Sequence, residues 1–481
     1  MSSGAPQLPC FTPEQLAAWT GGTWDGTPVP VCGVSNSGQK ITPGALYVAI
    51  QGERLDGHDF VAQAAMNGAA AAVVRRDWRG GILGARASCP APKLPLLRVD
   101  DTRVALAAAA AGYRRTWKTF VAGVTGSVGK TTTKELIAAF FRAGGTTAAT
   151  AGNLNNDLGL PLSLLATPSG TQRGIFELGS NHPGEINALC RVLQPDAAVV
   201  TAVGPVHIEH FGAEASIAAE KADLLRAVPA GGFVVLDADG AHFDYLRQQT
   251  AARIVAVSLA RADVDYTGRI LDAWKGEVEV RERATGRSVR LRTGISGCHH
   301  ASNLLLAIGM ARGAGVPWEA LPGALQHLQL PPMRWQRIDA NGLTVINDAY
   351  NANPPAMLGA LRTFAELPGA GRRVVVLGDM LELGAAAERL HREIGLAVAA
   401  GPWRVLVSVG TCARWIADEA VAAGFPVQQV WRYSDAPAAA ADTAAWVQPG
   451  DAVLVKASRG IGLERVAAAL LGKRGETGVG H

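Results

Sequence analysis

A phosphate-binding chemistry is suggested by the stretch GVTGSVGKTTTKE at positions 123–135, which holds the triplet Gly-Lys-Thr at 129–131. The usual phosphate loop has another glycine five residues before Gly129, but Val124 stands at that position. A loop between a strand and a helix directs backbone N–H groups and the positive end of the helix toward one point, where an anion is stabilised. The stretch therefore predicts a nucleotide-phosphate site, with an ordinary strand–helix turn as the alternative.

Within this loop the side chains divide by chemistry. Lys130 is expected to lie along the β- and γ-phosphates, and the hydroxyl of Thr131 or Thr132 can reach a Mg²⁺ ion. The residues that we predict to bind the nucleotide here are Gly126, Ser127, Gly129, Lys130, Thr131 and Thr132.

Three further ionisable residues follow apolar segments. Glu177 ends the run RGIFELG, and an acid at the tip of a neighbouring strand is what such a site needs to hold a metal. His207 follows AVVTAVG and is a candidate metal or phosphate ligand, although a single histidine is more often structural. Lys221 lies in a helical pattern, AAEKADLL, that alone would make it a solvent-facing charge.

Two polar segments could bind a ligand or simply form turns. Asn153, Asn155 and Asn156 occur in GNLNNDLGLPLSLL, and amides can bind a polar ligand without adding charge. The second segment, INDAYNANPPAM, follows a short strand and would suit ribose or base contacts; its candidates are Asp348, Tyr350, Asn351 and Asn353.

Composition sets the broad class of the protein. The 481 residues suggest about three domains of roughly 150 residues each. Apolar residues make up 48% and charged residues 18%, which is ample for buried cores. The net charge of +4, with no Lys/Arg stripe, argues against nucleic-acid binding. We therefore expect a globular protein whose ligands are small molecules.

Cysteine usage and the termini bear on the compartment. The six cysteines are scattered without a CxxC pair, which favours unpaired, buried thiols in a reducing compartment. The first residues lack a basic segment followed by an apolar one, and no uncharged apolar run reaches 18 residues. These features predict a cytoplasmic protein without a membrane span.

The elements that must position these residues alternate between strands and helices, which predicts an α/β fold with parallel sheets. We expect three domains: a small N-terminal α/β domain at 1–99, a central P-loop domain with a doubly wound, mostly parallel sheet at 100–330, and a Rossmann-like α/β domain at 331–481. The proline-containing segments SCPAPKLPLLRVDD and LQLPPMRWQRI mark the two boundaries.

Together the motifs resemble those of the Mur ligase family, the ATP-dependent amide-bond ligases of peptidoglycan precursor synthesis. The loop TGSVGKTTT is similar to that family's Thr-Gly-Ser/Thr-x-Gly-Lys-Thr/Ser. Within the family, GNLNNDLGLPLSLL, ELGSNHPGEI, DAYNANP and LGDMLELG look most like the members that join D-alanyl-D-alanine to UDP-N-acetylmuramoyl-tripeptide. The resemblance runs from about residue 33 to 466.

The resemblance implies roles at matching positions. Thr131 and Glu177 would hold one Mg²⁺, His207 a second, and Lys221 would react with CO₂ to give a carbamate ligand; Lys130, His207 and Lys221 would be catalytic. Asn303 in GCHHASN, Arg334, Asp348 and Tyr350 would contact ATP. Substrate contacts are expected from Asn153, Asn155, Asn156, Asn351, Asn353, Lys456, Ser458 and Arg459.

Two departures from the family pattern affect ligand contacts. The N-terminal domain usually has Ser-x-Asp-Ser/Thr-Arg for the uridine diphosphate, but Ser37, Gly38 and Gln39 stand in the last three places. Loss of that arginine removes a charge-assisted partner for phosphate. In GCHHASN, His300 replaces the usual asparagine.

The implied activity is ligation through an acyl phosphate by a monomeric enzyme that uses ATP, Mg²⁺, UDP-N-acetylmuramoyl-tripeptide and D-alanyl-D-alanine. Alternatives are the family member that adds the third stem residue, a folylpolyglutamate synthase, or a P-loop NTPase switch that acts on a protein partner. The GNLNN and NAN segments argue against the first two. A switch would leave the third domain unexplained, and an inactive binding module would not need Lys130, Glu177, His207 and Lys221.

Overall fold

Three β-sheets follow one another along the chain in the computed structural model, which describes residues 8–80, 94–326, 328–369 and 371–472. The sheets have five, nine and six strands, and a two-stranded ribbon lies beside the first. Helices alternate with most of the strands. The predicted α/β class with mostly parallel sheets is confirmed.

The first sheet has the order β2-β7-β6-β5-β4, and its strands are parallel except for β2, which pairs antiparallel with β7. The ribbon pairs β1 with β3. The elements of this part are β1 (Cys10–Phe11), α1 (Pro13–Thr20), β2 (Thr23–Asp25), β3 (Val31–Cys32), β4 (Val34–Ser35), β5 (Leu46–Val48), α2 (Val61–Met66), β6 (Ala71–Arg75) and β7 (Leu96–Val99).

The ribbon corrects the prediction that the cysteines are unpaired. Cys10 and Cys32 lie opposite each other across the antiparallel strands and form a disulfide. Their pairing depends on a fold that brings distant segments together, which the spacing in the sequence does not reveal. Of the cysteines predicted to be buried, Cys190 is buried but Cys298 is exposed; Cys89 lies outside the described residues.

The nine-stranded sheet has the order β16-β15-β14-β13-β12-β11-β8-β10-β9. The strands from β9 to β14 are parallel in this order, and β15 and β16 extend the edge antiparallel. The elements are α3 (Thr102–Arg114), β8 (Phe120–Thr125), α4 (Lys130–Ala143), β9 (Thr147–Ala149), α5 (Gly159–Leu165), β10 (Arg173–Glu177), α6 (Glu185–Leu193), β11 (Ala197–Val200), α7 (Ile208–Phe211), α8 (Glu214–Arg226), β12 (Phe233–Asp237), α9 (Phe243–Leu246), β13 (Arg253–Ser258), β14 (Tyr266–Asp272), β15 (Glu277–Glu282), β16 (Ser288–Arg292), α10 (Cys298–Gly313) and α11 (Leu321–Leu325).

Both faces of this sheet are covered, as the uninterrupted apolar sequence of its central strands requires. Phe140 of α4 and Leu304 of α10 are fully buried in the core on one face. Leu224 and Leu193 are fully buried in the core on the other. The strand order reverses between β8 and β11, and ligands of open α/β sheets bind beyond the carboxyl ends of the strands at such a point.

The third sheet has the order β17-β18-β22-β19-β20-β21 and is parallel except for β17, which pairs antiparallel with β18. Its elements are β17 (Gln336–Ala340), β18 (Leu343–Asn347), α12 (Pro354–Ala365), β19 (Arg373–Gly378), α13 (Ala387–Ala399), β20 (Val405–Val409), α14 (Ala413–Ala422), β21 (Val430–Tyr433), α15 (Ala436–Ala441), β22 (Ala452–Lys456) and α16 (Glu464–Leu470). Across the described part of the chain, none of the helices combines the length and apolar character needed to cross a bilayer.

Candidate active site

The unusual glycine spacing of the phosphate loop has a structural explanation. Val124 is buried inside β8, so the strand continues through the position where a glycine was expected, and α4 begins directly at Lys130. Gly126 and Gly129 have φ angles of +146° and +86°. A Cβ atom on Gly126 would lie 2.0 Å from Thr201 Oγ1, and one on Gly129 would lie 2.5 Å from Asn303 Oδ1. Both positions therefore require glycine.

The loop is bonded to the segment that follows β11. The Ser127 amide donates to the Ala202 carbonyl at 2.6 Å, and the Thr201 hydroxyl donates to the Val128 carbonyl at 2.6 Å. The Ser127 hydroxyl donates to the Gly204 carbonyl at 2.9 Å. Two of these bonds anchor Ser127 and one anchors Val128, so the segment after β11 fixes the middle of the loop.

Lys130 is bonded to its own loop. Its Nζ atom donates to the carbonyls of Gly126 at 2.7 Å and Ser127 at 3.3 Å. Desolvation lowers the pKa of Lys130, Glu177 opposes this effect, and the positive charge of Arg334 adds to it. Lys130 and Arg334 are therefore close enough for their charges to interact, and two neighbouring cations favour the binding of a polyphosphate.

The two residues predicted to hold the first metal are in contact. The Thr131 hydroxyl donates to Glu177 Oε2 at 2.9 Å, and both side chains are almost completely buried. Asn155 Nδ2 donates to the other oxygen, Oε1, at 2.9 Å. The Glu177 amide donates to the Thr150 hydroxyl at 2.9 Å, which fixes the backbone at the end of β10.

These donors fit Mg²⁺. A hydroxyl and a carboxylate are hard oxygen ligands, and Mg²⁺ in phosphate sites uses one or two carboxylates together with substrate phosphates and water. Within the described ranges, no group of three or more His, Cys, Asp or Glu side chains forms a self-sufficient metal cage. Thr131 and Glu177 together supply two oxygen donors, which fits an ion whose other ligands are phosphate and water oxygens.

His207 stands immediately before α7 with a φ of +50°, in the left-handed region. Its Nδ1 contacts the carboxylate of Glu382, which leaves Nε2 as the ring nitrogen for a metal or a phosphate. Desolvation lowers the pKa of His207; Glu382 raises it, and Lys130 and Lys221 lower it further. The imidazole thus lies within electrostatic range of both lysines.

Lys221 is 1% exposed, although its position in a charged helical sequence favoured a surface location. Its Nζ atom donates to the Ser180 hydroxyl at 2.6 Å. Burial, with help from the charge of Lys130, lowers its pKa to about 7, against the opposing charges of Glu220 and Glu185. A substantial fraction of the amine is therefore neutral near pH 7, which is the form that can react with CO₂.

On the C-terminal side, Arg334 stacks over the ring of Tyr350 with its guanidinium carbon 4.0 Å from the ring centre. Asp348 accepts from the Trp335 amide at 3.0 Å and from Lys456 Nζ at 2.6 Å. Asp348 and Lys456 therefore neutralise each other, and the Arg334 guanidinium is held against the Tyr350 ring by a cation–π contact.

Several predicted ligand-binding residues have local structural partners. The side-chain oxygen of Asn156 accepts from the Gly159 amide at 2.8 Å, and that of Asn353 caps α12 by accepting from the Ala356 amide at 3.0 Å. Asn351 accepts from the Ala352 amide at 2.9 Å. Asn153 is exposed. For Asn156, Asn351 and Asn353, turn and cap geometry is sufficient to account for the residue type.

The remaining candidates lie in two places: Asn303 and Thr132 are beside the phosphate loop, and Ser458 and Arg459 follow β22. Asn303 accepts from the Thr133 hydroxyl at 3.2 Å and borders the phosphate loop. Ser458 accepts from the Leu381 amide at 3.0 Å and donates to the Ala352 carbonyl at 3.2 Å, while Arg459 pairs with Glu464 at 2.9 Å. Thr132 is buried in the first turn of α4.

Comparison with known proteins decides the family. The chain is 35% identical over 404 residues to UDP-N-acetylmuramoyl-tripeptide--D-alanyl-D-alanine ligase of Escherichia coli (strain K12), and the match covers 83% of this chain and 86% of that protein. The chain belongs to the Mur ligase family. Models of the Mur ligase catalytic domain, the Mur ligase middle domain and the Mur ligase glutamate ligase domain match residues 30–114, 124–311 and 333–459.

Solved Mur ligase structures share the whole architecture. A crystal structure of MurF from Acinetobacter baumannii matches with a TM-score of 0.86 and 27% identity, covering 97% of this chain and all of that one. A MurF ligase from Thermotoga maritima in complex with ADP matches with a TM-score of 0.75 and 26% identity, covering 92% and 97%.

The segment of this Mur ligase that departs from the family pattern forms a tight turn. Asn67 Nδ2 donates to the Gly38 carbonyl at 2.7 Å, and the Lys40 amide donates to the Ser37 hydroxyl at 3.2 Å. A Cβ atom on Gly38 would lie 3.2 Å from the Phe60 carbonyl. Gly38 therefore lies where two backbone segments approach closely, and a larger residue would crowd the Phe60 carbonyl.

Sequence reasoning missed four partners of the Mur ligase site residues. Ser180, three positions beyond Glu177 in ELGSN, holds the Lys221 amine. Thr150 anchors Glu177, and Thr201 anchors the phosphate loop. Glu382 lies in LGDMLELG, a segment that resembles a family motif, but the sequence predicted no contact between its carboxylate and His207.

Proposed function

We propose that this Mur ligase joins D-alanyl-D-alanine to UDP-N-acetylmuramoyl-tripeptide at the expense of ATP, in peptidoglycan precursor synthesis. The observation that carries the proposal is the match, over more than four-fifths of both chains, to an enzyme with that name. The arrangement of Lys130, Thr131, Glu177 and Lys221 at one sheet edge supports the ATP-dependent part of it.

The reaction has two steps. A carboxylate oxygen of the tripeptide attacks the γ-phosphorus of ATP, and the bond to the bridging oxygen breaks to give an acyl phosphate and ADP. The amine of D-alanyl-D-alanine then attacks the acyl carbon, loses a proton and expels phosphate as the amide forms. Both steps concentrate negative charge, so catalysis rests mainly on positioning and electrostatic stabilisation.

The residues of the chain supply that stabilisation. The loop amides and Lys130 would bind the β- and γ-phosphates, and Arg334, held against Tyr350, would bring a second positive charge from the C-terminal side. Thr131 and Glu177 would hold one Mg²⁺ and His207 would help hold a second, and bound Mg²⁺ offsets phosphate charge. Approach of the C-terminal sheet would exclude water from the acyl phosphate.

We also propose that Lys221 carries a carbamate. Reaction of the neutral amine with CO₂ forms an N–C bond and releases one proton, which converts the neutral amine into an anion with two oxygen donors. The pKa of about 7 supports this reaction near neutral pH. The carbamate oxygens would be hard ligands of the kind that Mg²⁺ prefers.

The remaining parts of the proposal concern organisation. We propose three domains at residues 1–99, 100–330 and 331–481, which bind the uridine diphosphate end, ATP, and the incoming dipeptide together with the nucleotide. Asn153, Asn155, Asn156, Asn351, Asn353, Lys456, Ser458 and Arg459 remain proposed substrate contacts. We propose a monomer acting in the cytoplasm, where ATP and nucleotide-linked precursors are made.

The test is phosphate release from ATP in the presence of UDP-N-acetylmuramoyl-tripeptide and D-alanyl-D-alanine. We expect turnover that requires both substrates, with the pentapeptide product detected by mass spectrometry. Equal phosphate release when either substrate is omitted contradicts the proposal. Replacing D-alanyl-D-alanine with a diamino acid or glutamate tests the other ligases of the family.

A further inference from the structure

We propose that Glu382 is a positioning residue for His207, which it orients from the opposite side of the cleft between the central and C-terminal sheets. The proposal rests on the function above, because it assigns His207 a place beside the phosphates. Glu382 itself touches neither substrate nor phosphate in this scheme; it acts through the imidazole.

The contact joins two residues with unusual backbones. His207 has a φ of +50° and Glu382 a φ of +62°. Both backbones lie in the left-handed region, which residues other than glycine and asparagine rarely adopt. The Glu382 carboxylate meets Nδ1 of the imidazole. Such outliers persist where the surroundings impose them, and here each one directs its side chain at the other.

The segment that bears Glu382 is fixed on both sides. The Met380 amide donates to Nε2 of the buried His391 at 3.0 Å, and the Leu381 amide donates to the Ser458 hydroxyl at 3.0 Å. The Asp379 carboxylate accepts the amides at the start of α14, those of Thr411, Cys412 and Ala413. Glu382 thus presents its carboxylate from a rigid support.

Backbone contacts accompany this side-chain contact. The Glu209 amide donates to the Glu382 carbonyl at 3.5 Å, and Ile208 packs against the core of the C-terminal sheet. A Cβ atom on Gly384 would lie 3.1 Å from Glu209 Cβ. Because α7 packs against residues 382–384, the imidazole is oriented by Glu382 only when the central and C-terminal sheets are in contact through these segments.

The chemical consequence concerns the tautomer of the imidazole. When Nδ1–H donates to a carboxylate, Nε2 keeps its lone pair and becomes the ligand nitrogen. Lys130 and Lys221, the two cations that act on His207, cannot accept this hydrogen bond. Within the part of the chain that the structure describes, Glu382 is the side chain bonded to Nδ1.

The experiment uses the full chain with ¹⁵N-labelled histidines, of which there are ten. Ring-nitrogen correlation spectra of the wild type and Glu382→Ala report the tautomer, with His207→Gln to assign the signal. We expect an Nδ1–H imidazole in the wild type and loss of that preference in Glu382→Ala. Glu382→Gln should retain it because the amide oxygen accepts the same bond. Glu388→Ala, which breaks a surface pair with Arg392, is the matched control.

Kinetics supply the second readout. We expect kcat to fall about tenfold or more in Glu382→Ala, with KM for the UDP-tripeptide changed less than about twofold, and recovery in Glu382→Gln. Glu382→Gly serves if the alanine variant does not fold, because glycine tolerates the positive φ. An unchanged His207 signal in the folded alanine or glycine variant overturns the proposal. If the wild type forms no product, the proposed function fails, while the spectra still test the contact.

Discussion

The hydroxyl of Thr131 at the start of α4 and the carboxylate of Glu177 at the end of β10 are joined by a hydrogen bond of 2.9 Å. Parallel pairing of β8 with β10 sets Val124 opposite Glu177, so the acid lies beside the strand that leads into the phosphate loop. The second carboxylate oxygen is held by Asn155. Two neutral donors therefore fix both oxygens of the carboxylate that we propose to bind Mg²⁺.

We predict that Glu177→Gln lowers ligase activity by at least about a hundredfold, because the side chain proposed to bind Mg²⁺ loses its charge. Phosphate release measured against Mg²⁺ concentration should show a raised Mg²⁺ requirement. Asp157→Asn, which alters an exposed pair with Arg103, is the control and should stay within about twofold of the wild type. Equal behaviour of the two variants contradicts a metal role for Glu177.

We predict that Gly126→Ala destabilises the protein by at least about 2 kcal/mol, because the new Cβ would meet Thr201 Oγ1 and the backbone has a φ of +146°. Gly170→Ala separates these causes: its φ is +83°, but nothing lies within 4 Å of the added atom. It should cost about 1 kcal/mol. Urea denaturation measures both values, and similar costs would show that contact with Thr201 is unimportant.

For the carbamate, we predict that Lys221→Ala is inactive and that short carboxylic acids such as formate partly restore its activity, because they can supply oxygen donors in the vacated space. In the wild type, activity should depend on CO₂, and this dependence should strengthen as pH rises through about 7, where the amine becomes neutral. A Lys221→Ala enzyme that is active and indifferent to added acids contradicts the carbamate.

The same lysine makes a prediction about stability. The pKa of Lys221 is about 7 in the folded state and 10.5 for the ordinary group, so burial of the cation destabilises the fold fully below pH 7. Between pH 7 and about 10.5 the unfolded chain binds the extra proton, and this destabilisation diminishes as pH rises. In CO₂-free buffer, Lys221→Met should exceed the wild type in unfolding free energy at pH 6, by a margin that shrinks at pH 9. A margin independent of pH contradicts the shifted pKa.

The ion pair between Asp348 and Lys456 gives a prediction that separates structural from ligand roles. Lys456 is buried, so Asp348→Ala should leave an unpaired charge and cost about 3 kcal/mol or more. Removing both, in Asp348→Ala with Lys456→Met, should cost less than the sum of the single changes. Thermal denaturation of the four proteins measures the coupling, and additive effects would show that the pair does not interact.

How far the sequence could predict the site depends on the distance between the interacting residues. The phosphate loop and Glu177 were accessible because a glycine-rich turn and a strand-end acid are local patterns, and parallel strands end at one edge. Ser180 also follows β10, but its bond to Lys221 depends on how α8 packs. Glu382 was inaccessible because its contact joins elements of two sheets, with no periodicity to relate them. The disulfide of Cys10 and Cys32 was missed because the pairing of β1 with β3, which brings the two cysteines together, has no signal in the cysteine spacing.

The asparagines show a second limit of prediction from sequence, because one residue type suits several different roles. Asn155, Asn156, Asn351 and Asn353 all lie in polar segments that suit either a ligand or a turn. In the structure Asn156 accepts from the Gly159 amide in the turn before α5, Asn353 caps α12, and Asn155 donates to Glu177. The residue type alone does not distinguish these uses, because the same amide satisfies backbone, carboxylate or ligand.

Lys130 donates hydrogen bonds to the carbonyls of Gly126 and Ser127, so these carbonyls compete with a ligand phosphate for the lysine. A ligand must exchange these carbonyl contacts for phosphate contacts, so its observed affinity is a difference between two bonded states. In the proposed reaction a single phosphate would replace them nearly one for one, whereas a triphosphate would also reach the loop amides and Arg334. The bonds of Lys130 within its own loop would therefore favour ATP over the inorganic phosphate released at the end of each turnover.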